Sequence, residues 1–182
     1  MKTGLRNLGL FIGAFTLAAI AIVPKRRESE DSPSPATDEE VNRIMRTTLV
    51  DTIRAEMAAP DPEKYWADVW TSGGPHPKSW CGALILWALR EVGLSNANWK
   101  AGLALPGQLA LPITKTPQVG DIAYFTKNQH QATVSEVLGN GVYAVLNGNA
   151  AGGAITETET STGKVAAFYS IQPLIDRLLE TV

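Results

Sequence analysis

Apolar positions fall into three regimes along the chain. Residues 8–23, LGLFIGAFTLAAIAIV, form an unbroken apolar run, flanked by Lys2 and Arg6 before it and by Pro24, Lys25, Arg26 and Arg27 after it. From Thr37 the spacing becomes helical. Thr37 with Glu40 three residues later makes a capping box, and Val41, Ile44, Met45, Leu49, Ile53 and Met57 follow on one face until Pro60. A shorter helical piece over residues 63–70 groups Tyr65, Trp66, Val69 and Trp70, which read as a flap packed on the core rather than a platform for sugar rings. Residues 71–78, TSGGPHPK, are loop by composition. Residues 79–92, SWCGALILWALREV, are apolar on nearly every face, the mark of a buried helix, and Gly93 stops it.

Beyond Gly120 the pattern changes to short β-rich runs at 121–125, 130–137, 142–147, 154–159 and 165–171. Asn140-Gly141 between the second and third is a hairpin signal. Residues 96–117 hold three prolines and no sustained period, so they read as a long loop, and 173–179 closes the chain as a short helix. Helices first and an antiparallel meander afterwards predict an α+β fold, with the buried helix lying across a small sheet.

The first 37 residues decide the compartment. Sixteen helical residues span about 24 Å, a marginal membrane crossing, so residues 1–23 read as a signal anchor or, with Ala19-Ile20-Ala21 as small cleavage residues, a signal peptide. Either reading exports the rest, membrane-anchored or secreted, into the periplasm or cell wall. Residues 24–37, PKRRESEDSPSPAT, have almost no apolar side chain to bury and read as a disordered tether. That leaves residues 38–182 as one folded domain. Sixteen Lys and Arg against eighteen Asp and Glu give no basic excess, which sets nucleic-acid binding aside.

With one cysteine, Cys81, and two histidines, His76 and His130, the chain can build neither an internal disulfide nor a Cys- or His-rich metal cage, and no cofactor is expected. One thiol working with one imidazole remains possible. Cys81 falls in the first turn of the buried helix, where free backbone N–H groups and the helix dipole favour a thiolate and could bind an oxyanion. His130 opens a strand, and alternation places it on one face with Ala132 and Val134, a face expected to look towards the buried helix. Across the Asn-Gly turn, Asn147 or Asn149 could accept the imidazole N–H and fix its tautomer.

The order WCGALILWALREVGL, PQVGDIAYF, HQATVSEV and YAVLNGN resembles the NlpC-type and CHAP (cysteine, histidine-dependent amidohydrolase/peptidase) superfamily of papain-like cysteine hydrolases, over roughly residues 75 to 170. The resemblance implies Cys81 as nucleophile, His130 as base and Asn147 as orienting group, with Asn149 and Trp80 as substrate-binding or alternative orienting residues. Two departures stand out: many CHAP members carry an acid where Asn147 stands, and Gln131 replaces the small residue usual after the histidine. The implied activity is hydrolysis of peptidoglycan amide bonds, as an amidase or a stem-peptide endopeptidase, through a thioester acyl-enzyme and without a metal. Peptidoglycan would be the partner, with the membrane engaged through the N-terminal helix. The rival reading is a non-catalytic, membrane-tethered scaffold or wall-binding module of the same fold.

Overall fold

The computed structural model describes residues 36–67, 69, 70, 75, 78–94 and 111–181. The apolar segment 8–23, residues 24–35 of the tether, His76 and most of the proline-bearing loop fall outside these residues. Four α-helices and six strands are described: α1 (Asp38–Ala55), α2 (Pro62–Ala67), α3 (Cys81–Glu91), β1 (Ile113–Thr114), β2 (Ile122–Phe125), β3 (His130–Gly139), β4 (Val142–Ala150), β5 (Ala154–Ser161), β6 (Ala167–Tyr169) and α4 (Gln172–Leu179). The six strands form one antiparallel sheet in the order β1-β6-β2-β3-β4-β5. The fold is α+β. Ala36–Val182 make one compact unit, and no helix among the described residues is long and apolar enough to cross a membrane.

Local sequence accounts for most boundaries. Thr37 caps α1, its hydroxyl accepting from the Glu40 N–H at 3.2 Å. α1 ends at Ala55 and tightens into a 3₁₀ turn over Glu56–Ala58 ahead of Pro60. Asn140 (φ 51°) and Gly141 (φ 71°) both take the left-handed region that a two-residue hairpin between β3 and β4 requires. α3 is buried at every position from Cys81 to Leu89, and its apolar side chains join those of α1, α2 and α4 with Ile122, Leu146 and Ile155 from one face of the sheet.

The other face encloses a second core of Ala123, Ala132, Val134, Tyr143, Val145 and Phe168. Tyr143 on β4 and Phe168 on β6 have ring centroids 4.9 Å apart, although β2 and β3 lie between their strands. In a flat sheet those strands would be about 14 Å apart with side chains perpendicular to the surface. The sheet therefore curls towards this face, away from the helices, and its interior is lined by alternate residues of β2, β3 and β4.

A buried ion pair ties the helices to the start of β2. Arg46 (4% exposed) and Asp121 (1% exposed) meet at 2.8 Å. The guanidinium also donates to Val119 O, Asn42 Oδ1 and Gln172 Oε1, while the carboxylate accepts the N–H groups of Gln118 and Ile171. Each partner thus makes further hydrogen bonds beyond the ion pair, the condition under which a buried pair is tolerated. It joins α1, β2 and the start of α4.

Candidate active site

Cys81 is the first residue of α3, so its backbone N–H precedes the first helical hydrogen bond, Leu84 N–H to Trp80 O at 2.9 Å. The N–H groups of Cys81, Gly82 and Ala83 have no intrahelical acceptor, and the positive end of the helix dipole lies at the thiol. Cys81 is 6% exposed. Its thiol is near enough to the His130 imidazole for each to act on the other's protonation.

His130 reaches the thiol by a route other than the expected one. The face it shares with Ala132 and Val134 is the curled inner face, not the helix-covered one, and it is Gln131 and Thr133 that look towards the helices. The imidazole meets the thiol because His130 is the first residue of β3, where the ladder with β4 has not yet begun: the first pair is Ala132 with Asn147. A short 3₁₀ turn, Lys127–Gln129, delivers the chain to this point, with Gln129 at φ 50°. Phe125, paired with His130 across β2 and β3, places its ring 5.8 Å from the imidazole.

Asn147 holds the other side of the ring. His130 Nε2 and Asn147 Oδ1 are 3.0 Å apart. The amide cannot reverse without loss, because Nδ2 donates to Val145 O (3.1 Å), Thr156 O (3.4 Å) and Thr158 Oγ1 (2.9 Å), and two of these acceptors are carbonyl oxygens that can only accept. Oδ1 must therefore face the ring, Nε2 must carry the proton, and Nδ1 is left for the sulfur.

The electrostatics agree with that assignment. Burial pushes the Cys81 thiol up, but the hydrogen bond from His130, the backbone N–H of Gln131, the imidazolium charge and the Ser79 hydroxyl together bring it below the ordinary thiol value. Ser79 Oγ lies 3.8 Å from the sulfur. His130 is raised, first by its hydrogen bond to Cys81 against the opposing effect of burial, then by Asn147 and the thiolate charge. One group lowered and its partner raised both shift the pair towards thiolate and imidazolium.

The remaining expected residues take other parts. Asn149 sits at φ 57° where the pairing of β4 with β5 shifts, a backbone conformation asparagine tolerates, and it is Asn147 that meets the imidazole. Trp80 is not a substrate platform: it is 3% exposed, its ring 5.4 Å from that of Tyr65 within the helical core. Tyr65 and Trp66 are likewise buried, so the aromatic cluster packs as a flap. Sequence reasoning missed the Gln131 N–H, Ser79 and Thr158. Of these only Thr158 left a signal, in the alternating threonines Thr156, Thr158 and Thr160 of β5. No group of three or more His, Cys, Asp or Glu among the described residues could hold a metal ion. Comparison with protein-family models, curated proteins and solved structures finds no match for this chain.

Proposed function

We propose that residues 36–182 are a papain-like cysteine hydrolase of the NlpC/CHAP type that cleaves amide bonds of peptidoglycan. The observation that carries this reading is the chain of contacts from Cys81 to His130 to Asn147, closed by the 3.0 Å bond between His130 Nε2 and Asn147 Oδ1. The thiolate attacks the amide carbonyl carbon, and the oxyanion that forms accepts from the Cys81 N–H at the helix start. His130, protonated at rest, gives its Nδ1 proton to the departing amine and leaves a thioester on Cys81. The neutral imidazole then takes a proton from water, whose oxygen attacks the thioester; collapse releases the acid product and the thiolate and leaves that proton on His130, restoring the resting pair. Asn147 holds the ring through both half-reactions. The choice of peptidoglycan rests on the resemblance of the four sequence motifs and on the export signal read at residues 1–23.

The pH dependence of thiol alkylation tests the pair itself. A thiol lowered in the folded protein remains thiolate below the ordinary thiol range and loses reactivity only when pH falls through its own lowered pKa. Iodoacetamide should therefore modify Cys81 rapidly at neutral pH, and His130→Ala should move the profile upward, since burial is then opposed only by Gln131 N–H and Ser79. A native thiol as slow at neutral pH as a buried inert cysteine would remove the catalytic reading and leave the scaffold.

A further inference from the structure

We infer that Gly148 is a positioning residue for this site: by carrying no side chain, it sets the spacing between the helix that bears the thiol and the strands that bear imidazole and amide. The inference rests on the reading that Cys81 and His130 form a reactive pair. Gly148 lies on the helix-facing side of β4, between Asn147 and Asn149, and its backbone does not need the left-handed region. The sharp change of direction belongs to Asn149, at φ 57°. What Gly148 supplies is room.

A Cβ at this position would stand 2.7 Å from Leu84 Cδ2, 3.1 Å from Trp80 Cζ3 and 3.4 Å from Cys81 Cα. All three neighbours belong to the beginning of α3 or its first turn, and one is the backbone of the thiol-bearing residue itself. None can easily give way, because Leu84 is 1% exposed, Trp80 is 3% exposed and held against Tyr65, and Cys81 Cα is part of the helix. Reaching ordinary contact with Leu84 requires a retreat of about 0.7 Å. The strand that moves is the one whose preceding residue grips His130 at 3.0 Å, so the retreat draws the imidazole–amide unit away from the sulfur. Glycine within a strand commonly marks such a close backbone approach, and displacements near 1 Å are enough to cost a site about a hundredfold.

The test is the pH profile of Cys81 alkylation in the full chain, measured for the unsubstituted protein, Gly148→Ala, Leu84→Ala and the double variant, with circular dichroism and urea unfolding alongside. Gly148→Ala should remain folded, lose at least about tenfold in alkylation rate at pH 6, and shift its profile towards that of an ordinary thiol. Leu84→Ala should lose stability with no shift, and adding it to Gly148→Ala should restore most of the profile by clearing the nearest atom. A folded Gly148→Ala with the unsubstituted profile overturns the inference. Should the single variant not fold, the double variant decides: a profile matching Leu84→Ala supports the spacing role, and one still shifted upward overturns it. An inert thiol in the unsubstituted protein is a separate result, and it defeats the reactive pair rather than the role of Gly148 within it.

Discussion

Replacing Asn147 by alanine removes one contact to the His130 imidazole, the proposed base, and leaves Cys81 in place. The lost bond, Oδ1 to His130 Nε2 at 3.0 Å, is charge-assisted whenever the ring is imidazolium. Hydrogen bonds to charged groups contribute about 1.5–3 kcal/mol, which corresponds to roughly 10- to 150-fold in rate. The loss should appear in kcat more than in KM, because ring orientation matters most as the proton moves. Asn147→Asp separates orientation from charge. The oxygen replacing Nδ2 would face Val145 O and Thr156 O, at 3.1 and 3.4 Å in the native amide, with no proton to offer either. An aspartate there stabilises imidazolium only by setting carboxylate against carbonyl, so it should not exceed the native rate. Asn149→Ala should leave kcat within about threefold, since Asn149 serves the backbone bend. Steady-state turnover of peptidoglycan fragments by the four proteins is the assay. Near-native kcat for Asn147→Ala, or an Asn147→Asp enzyme faster than the parent, would refute the reasoning.

Two further predictions concern the frame that holds the site. Asp121→Ala strands the buried Arg46 charge and two backbone N–H groups, and should lower unfolding free energy by about 3–5 kcal/mol; a loss under about 1 kcal/mol in urea titration would contradict the clamp. Gln129→Gly relieves the left-handed backbone at φ 50° just before His130 and should stabilise by up to about 1 kcal/mol, with unchanged alkylation of Cys81; destabilisation would show that the Gln129 side chain is needed.

Much of the site was legible because its chemistry is scarce. A chain with one cysteine at a helix start and one histidine at a strand start leaves few pairings, and the Asn140-Gly141 hairpin returns β4 alongside β3; two register shifts, between Val134 and Glu136 and between Val137 and Gly139, which the sequence does not announce, then set Asn147 rather than Asn149 opposite Ala132 and within reach of His130. The direction of His130 is hidden for a physical reason. Alternation in β3 groups His130 with Ala132 and Val134 and suggests that this apolar set meets the helices, but the curled sheet has two buried faces, and the helix-covered one accepts Gln131 and Thr133. Period 2 separates faces without saying which is which. Strand order was equally hidden: β6 lies between β1 and β2, and the two residues of β1 sit where the sequence reads as loop. Arg46 and Asp121 are 75 positions apart, one looking like a solvent-facing helix position and the other like a strand opening, so only the fold could pair them.

Digestion of purified sacculi shows whether this thiol cleaves peptidoglycan amides as proposed. The protein and its Cys81→Ser variant are incubated with sacculi at neutral pH, and the released fragments are identified by mass spectrometry. Soluble fragments with a newly freed amine and carboxylate at one amide bond should be released by the native protein and be absent with Cys81→Ser. Intact sacculi after treatment with a protein whose Cys81 alkylates rapidly would contradict the substrate, and equal release by Cys81→Ser would contradict the nucleophile.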